Sequence, residues 1–195
     1  MSDQGFTSQK LNLTLALCAI LISIASFYAT YLQANAAEKQ VKAMTLPLLQ
    51  FGTGNVNNET KESVLEFSIT NNGVGPALLK SSNFRYKEQD YQRFSQFLDA
   101  CCQVEYKKFK QNKPKAHLKL GSEITSSIHN RILPAQEEHI FYRLYNGELS
   151  SELWQKLNDE RSHLSVEMCY CSLLDECYLT KARGLVVPIE ACPVQ

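Results

Sequence analysis

Val64-Leu65-Glu66-Phe67-Ser68-Ile69-Thr70, running straight into Asn71-Asn72-Gly73-Val74-Gly75-Pro76, is the stretch that decides the fold of this chain. Leu65, Phe67 and Ile69 alternate with Glu66, Ser68 and Thr70, the period-two pattern of a half-buried strand. The glycines that follow offer positive φ for a turn, and Pro76 fixes the exit. Working outward, Ala77–Leu79 and Asn83–Tyr86 resume extended structure. Upstream, Leu46–Phe51 reads as a first strand ending at Gly52-Thr53-Gly54-Asn55. Downstream, Thr125–Leu133 leads to a turn at Pro134-Ala135-Gln136-Glu137-Glu138, and His139–Tyr145 is another strand. Leu164–Tyr170 and Tyr178–Leu179 flank a hairpin connection, and Leu185–Ile189 closes the set. Short strands at this spacing predict a β-sandwich.

Two segments depart from that pattern. Asp90–Cys102 sets Tyr91, Phe94, Phe97, Leu98 and Cys101 at helical intervals. Leu149–Leu157 offers Ser150 or Ser151 as an N-cap and puts Leu153, Trp154 and Leu157 on one face. Both are predicted as short helices inserted against a sheet. Lys107–Lys119, rich in lysine around Pro114, is predicted as an exposed loop, solvated rather than engaged with lipid headgroups or nucleic acid.

Ahead of the domain lies LNLTLALCAILISIASFYATYL, Leu11–Leu32, within a stretch from Leu11 to Ala37 that carries no charge. As a helix these 22 residues span about 33 Å, against roughly 30 Å of hydrocarbon. Tyr28 and Tyr31 fall near one end, where aromatic rings favour the interface. A cleaved signal peptide is the rival, with Lys10 as its basic region and Ala34-Asn35-Ala36 as its cleavage pattern. The apolar run is longer than the usual 7–15 residues of such signals, which favours an uncleaved signal anchor. Gln33–Met44 has no Gly or Pro and is rich in helix formers, so it reads as a helical stalk that Pro47 stops. Lys10 on one side and Lys39 and Lys42 on the other leave the positive-inside rule near a tie.

Twenty basic and twenty acidic residues cancel, which gives no electrostatic reason to expect nucleic acid. The apolar fraction of 44% argues for a folded domain over disorder. No H-E-x-x-H, G-x-S-x-G or phosphate-cradling glycine loop occurs, and His117, His129, His139 and His163 are scattered. Gly52-Thr53-Gly54 and Gly73-Val74-Gly75 are too short for a phosphate loop.

Phe67–Ala77, with its Asn71-Asn72-Gly73-Val74-Gly75-Pro76-Ala77 turn, followed by Leu133-Pro134-Ala135-Gln136-Glu137, resembles immunoglobulin-like sandwich domains of bacterial surface proteins. In those domains an N-x-G-x-G-P-A turn follows an early strand and an L-x-P-G-E turn precedes a later one. Gln136 stands here where the second turn has glycine. The layout is similar to a group of uncharacterised bacterial single-pass membrane proteins. The resemblance covers about 20 residues and implies a fold and a compartment, with no activity attached.

Seven cysteines remain to be placed. Cys18 sits in the apolar run. Cys101, Cys102, Cys169, Cys171, Cys177 and Cys192 lie in the domain, with no C-x-x-C among them. An even set of six fits disulfides in an oxidising compartment, with about 15 possible pairings. Cys171 and Cys177, facing each other across a hairpin, form the favoured pair; adjacent Cys101 and Cys102 are expected to bond to different partners. A thiolate metal site from Cys169, Cys171 and Cys177 with His163 or Cys192 is the alternative, although C-x-C-x5-C is not a standard ligand spacing. A cysteine nucleophile with His163 is a further option, and Asp175-Glu176 at the hairpin tip is read as solvated.

The chain is therefore expected to be mainly β. Residues 1–10 form a tail, 11–32 a transmembrane helix, 33–45 a helical stalk and 46–195 an immunoglobulin-like sandwich with two inserted helices. Its expected role is non-catalytic: a protein-interaction or envelope-assembly module without cofactor, single-pass in a bacterial inner membrane with its domain periplasmic. A sensor or enzyme centred on the Cys169–Cys177 hairpin is the alternative, and a cytoplasmic-facing domain with reduced cysteines a third possibility.

Overall fold

The computed structural model describes residues 3–57, 59–112, 121–181 and 184–193, with side chains in the first helix from Ser8 onward. It divides into two units, Met1–Met44 and Thr45–Gln195.

The first unit is one helix, α1, Asp3–Met44. Its 42 residues extend for about 63 Å at 1.5 Å each, roughly twice the hydrocarbon thickness. The stretch read as a stalk is the last part of this helix, and most of the N-terminal tail is its first. Leu11, Leu13, Leu15, Leu17, Ile20 and Leu21 are all exposed, so the apolar surface wraps the whole circumference. The hydroxyls of Thr14, Ser23 and Thr30 donate to the carbonyls of Lys10, Ala19 and Ser26 at 3.0, 2.8 and 2.8 Å. Polar side chains in the run thereby satisfy themselves within the helix. This helix is long and apolar enough to cross a membrane.

Among the described residues the second unit holds ten strands: β1 Leu49–Val56, β2 Ser63–Asn71, β3 Ala77–Tyr86, β4 Gln89–Tyr91, β5 Glu123–Thr125, β6 Arg131–Leu133, β7 Glu138–Tyr145, β8 Leu164–Cys171, β9 Cys177–Thr180 and β10 Val186–Ile189. One antiparallel sheet runs β1-β2-β7-β5; the other runs β10-β9-β8-β3-β4, with β6 also paired to β3. Two α-helices accompany them, α2, Phe94–Asn112, and α3, Ser151–Glu160, the second followed by a 3-10 turn at Arg161–His163.

The two sheets share one core. Leu65, Phe67 and Ile69 of β2 are fully buried, and so are Phe84 of β3 and Met168 and Tyr170 of β8. Polar contacts cross between the sheets as well. Leu49 N donates to Tyr170 Oη at 3.3 Å, and Thr180 Oγ1 donates to Leu49 O at 3.0 Å. The first turn of α2 inserts Phe94 among Phe67, Phe84, Phe141 and Tyr142, with centroids 4.7–5.6 Å apart. Tilted aromatic pairs of this kind add about 1 kcal/mol each beyond the area they bury.

Several boundaries differ from the sequence expectation. Ala77–Tyr86 is a single strand, because Ser81 and Ser82 stay paired with Cys169 and Met168 of β8 and only Lys80 is skipped, at an irregularity between Leu79 and Ser81. Thr125–Leu133 is not one strand: Thr125 ends β5 in one sheet and Arg131 opens β6 in the other. α2 begins at Phe94 rather than Asp90, since Gln89–Tyr91 pairs with β3. The tight turn between them holds Lys87 and Glu88 at φ 48° and 68°. α2 then runs on to Asn112, absorbing the first part of the loop expected over 107–119. Residues 113–119 lie outside the described residues.

Gly73 and Gly75 are needed for space rather than for positive φ. A Cβ on Gly73 would lie 2.4 Å from Leu46 O, and one on Gly75 would lie 2.0 Å from Thr45 O. The entering chain passes directly against this turn, and Asn71 clamps it there. Fully buried, Asn71 accepts from Leu48 N at 3.1 Å and Gly73 N at 3.0 Å through Oδ1. Its Nδ2 donates to Gly75 O, Leu133 O and Pro134 O at 2.8, 3.2 and 3.0 Å. Gln136 completes the junction with φ 60°, its N donating to Asn71 O at 2.9 Å. Its Nε2 bonds Asn72 O at 3.1 Å and Gly73 O at 2.9 Å, holding a side chain where the resemblance has glycine.

Asn71→Ala strands these buried groups and is expected to cost about 3 kcal/mol in denaturant unfolding of the full chain in micelles. Asn71→Asp, which turns an acceptor toward three carbonyls, should cost at least as much. A loss below about 1 kcal/mol for both would show that the junction is not held by this side chain.

Candidate functional site

Four of the six domain cysteines converge on the outer face of the second sheet. Along β8, Val166, Met168 and Tyr170 enter the core, so Cys169 and Cys171 must take the opposite face. The β8–β9 connection, 172–176, is a tight turn. Ser172 N donates to Glu176 O at 2.8 Å, and Ser172 Oγ accepts from Leu174 N at 3.1 Å. Asp175 sits at φ 58°, a conformation Asp tolerates better than most residues. This turn sets Cys177 in register with Cys171. Their sulfurs are 2.05 Å apart and their Cα atoms 4.0 Å apart.

The C-terminal segment brings Cys192 onto the same face. Its Sγ lies 1.99 Å from Cys169 Sγ and 3.9 Å from Cys171 Sγ. The sulfurs of Cys171, Cys177 and Cys192 all fall within 4.8 Å of one another. The same thiols can therefore form two neighbouring disulfides when oxidised, or supply thiolate ligands when reduced.

His163 does not belong to this cluster. It precedes β8 at the opposite end, eight residues from Cys171, or about 26 Å along an extended strand. Its Nδ1 lies 3.4 Å from Glu160 Oε2, and it is exposed. Neither the metal set completed by His163 nor a cysteine–His163 catalytic pair is assembled. Of the two fourth ligands considered from sequence, Cys192 is the one in place.

The expectation that Cys101 and Cys102 bond to different partners is also overturned. Their sulfurs are 2.05 Å apart, and both side chains are buried. On a regular helix consecutive side chains diverge by about 100° and could not meet. At Cys102, φ −141° and ψ 32° interrupt the helix, which lets both turn to the same side. Cys18, in α1, is free and exposed.

Around His163 the structure builds a polar junction that periodicity does not announce. Glu160 accepts from Tyr86 Oη at 2.7 Å and pairs with Lys87 Nζ at 3.2 Å and Lys156 Nζ at 3.1 Å. The Tyr86 hydroxyl foremost, with Lys156 and Lys87 behind it, lowers the Glu160 carboxyl from 4.5 to about 2, against the opposing effect of burial. This carboxylate ties the end of β3 to α3.

A second concave feature lies between α2 and the β5 edge, a cavity of about 320 Å³. Glu123, whose side chain is buried, pairs there with Lys110 at 2.5 Å. No family model, curated protein or solved structure matches the chain.

Two outcomes follow from this geometry. Replacing both Cys169 and Cys192 by Ser opens the longer of the two loops that disulfides close, 23 residues in separation against 6 for Cys171–Cys177. It should lower unfolding stability by about 3 kcal/mol, whereas Cys101→Ser/Cys102→Ser, which opens no loop, should cost far less. Equal losses would contradict the loop argument. For Glu160, the folded pKa lies below the unfolded one, so its contribution is complete above about pH 4.5 and is lost as pH falls toward 2. The stability gap between the wild type and Tyr86→Phe should therefore hold steady from neutral pH to about 4.5 and narrow below it. A gap independent of pH down to 2 would remove Glu160 from the account.

Proposed function

We propose that this chain is a single-pass membrane protein in which α1 anchors an immunoglobulin-like β-sandwich domain on the periplasmic side of a bacterial inner membrane. The domain is a non-catalytic module that binds a protein partner or supports an envelope assembly. The observation that carries this reading is the combination of an apolar helix exposed on every side with a following domain whose six cysteines all lie at bonding distance in pairs. Disulfides persist outside the reducing cytosol, which is why pairing bears on compartment. Two antiparallel sheets around one core, and a junction that brings the two turn motifs together at Asn71, support the immunoglobulin-like assignment. A hairpin tip stapled by Cys171–Cys177 and presenting exposed Leu173 and Leu174 offers apolar contact area on a rigid support.

The second reading, a thiol- or metal-dependent sensor, is favoured by one observation: three sulfurs within 4.8 Å of one another. It requires the reduced state.

Counting free thiols separates the two. The full chain, extracted from membranes and denatured without reductant, is alkylated with a mass tag before and after reduction. The tethered, disulfide-framed module predicts one reactive thiol, Cys18, before reduction and seven after it. Seven reactive thiols at the outset would reverse the compartment and favour the thiol or metal reading, which Cys171→Ser and Cys177→Ser should then abolish with the fold intact.

A further inference from the structure

The four sulfurs on the outer face of the second sheet form a continuous series. Cys177 is bonded to Cys171, Cys171 Sγ lies 3.9 Å from Cys192 Sγ, and Cys192 is bonded to Cys169. The two disulfides therefore touch through one sulfur of each. A disulfide is exchanged when a thiolate attacks one of its sulfurs and expels the other. A thiolate released at Cys171 would stand against the Cys192 sulfur from the moment it formed. Such placement gives an internal attack a large advantage over a second molecule arriving from solution.

Access decides where a reaction of this kind begins. Cys169 and Cys171 are 2% and 6% exposed, which shields their sulfurs from an incoming thiol. Cys177 is only half-buried, and its Sγ reaches Asp175 O at 3.7 Å on the exposed side of the turn. Leu173 and Leu174 stand exposed on the same turn. Attack at Cys177 expels Cys171, the sulfur already placed against Cys192. Cys192 is half-buried as well, but attack there expels Cys169 and leaves the hairpin disulfide as it was.

The far end of the series is loosely packed. Beyond β10, Glu190, Ala191 and Pro193 are exposed, so among these described residues Cys192 holds the segment to β8. Cys171 lies two residues from Cys169 on the same face, about 7 Å along the strand.

We propose that these cysteines form a thiol–disulfide relay with Cys177 as its entry, in which an external thiol is captured at the hairpin tip and Cys192 passes from Cys169 to Cys171. In the first step the incoming thiolate bonds to Cys177 Sγ, the Cys171–Cys177 bond breaks, and its electron pair leaves on Cys171. In the second, the Cys171 thiolate bonds to Cys192 Sγ and the Cys169–Cys192 bond breaks. Cys169 leaves as the thiolate and takes up the proton that the incoming thiol lost. Two disulfides and one thiol enter, and two disulfides and one thiol remain, so no separate oxidant is required. The captured thiol stays at the tip while the C-terminal segment moves its anchor along the sheet. The relay rests on the disulfide-framed reading of the domain and gives its tip a covalent ligand: a thiol, carried by a small molecule or by a protein cysteine.

The test uses the full chain in micelles, with a portion denatured and alkylated before any thiol is added. One equivalent of cysteamine follows, a cationic thiol that the carboxylates of Asp175 and Glu176 do not repel. Reduced thioredoxin, a protein dithiol, runs in parallel. Both reactions are quenched by rapid alkylation and mapped by peptide mass spectrometry. With cysteamine the relay requires the adduct on Cys177 and a Cys171–Cys192 disulfide, with label on Cys169 at least about tenfold above label on Cys171. With the dithiol, whose second thiol releases the adduct as its own disulfide, label should fall on Cys169 and Cys177. Handover with one reagent alone supports the relay and identifies the thiol as small-molecule or protein. In Cys169→Ala/Cys192→Ala, which keeps only the hairpin disulfide on this face, cysteamine should still add to Cys177 and the label should move to Cys171. Label on Cys171 in the wild type, with Cys169–Cys192 retained, overturns the relay. So does an adduct on Cys192, or no exchange with either reagent. Seven reactive thiols before any addition would end the disulfide reading and the relay together, whereas one thiol at that point followed by any of these failures ends the relay alone.

Discussion

The folded domain depends on one buried amide. Asn71 closes β2, and its side chain accepts from the entering segment and from its own turn while donating to the β6–β7 connection. Three stretches far apart in sequence, 46–48, 73–75 and 133–136, are fixed by a single group with two donors and two lone pairs, all in use. Gly73 and Gly75 follow from the same constraint, since the entering chain lies too close for any Cβ. So does the left-handed Gln136, whose backbone and side chain both return to this junction. A buried polar network of this kind specifies register more sharply than apolar packing, because any slip leaves several groups unmet at once.

From that junction the rest is carried by apolar surface. The β2 stripe of Leu65, Phe67 and Ile69 meets β3 and β8 across the core, and Phe94 closes the aromatic end of it. The core aromatic group and the cavity between α2 and the β5 edge are continuous. Phe84, Phe94 and Phe141 line both, and the irregularity in the β2–β7 register lets Phe141 and Tyr142 both turn inward.

The cysteines work at the opposite face. β8 offers its even-numbered residues to the core and its odd-numbered ones to the C-terminal segment, which leaves Cys169 and Cys171 to hold that segment and the hairpin. This division is a direct result of strand alternation. The same alternation sets the hairpin tip on a rigid support.

The apolar helix, the β2 strand, the turn after it and the Cys171–Cys177 hairpin were legible from residues alone, because each is governed by local periodicity or short-range turn chemistry. The continuity of β3 through Lys80-Ser81-Ser82 was not, since it depends on ladder partners supplied by β8. Nor was the split of 125–133 between two sheets, or the pairing of Cys101 with Cys102, which rests on one interruption of α2. His163 lay close to β8 in sequence yet at the far end of it in space, because an extended strand separates its ends as fast as a chain can. The Tyr142 cavity left no signal at all: its residues come from β3, α2, β5, the 126–130 segment and β7, and only the tertiary structure brings them together. Sequence determined the local elements because their causes lie within a few residues; the sites arose from contacts that only folding makes.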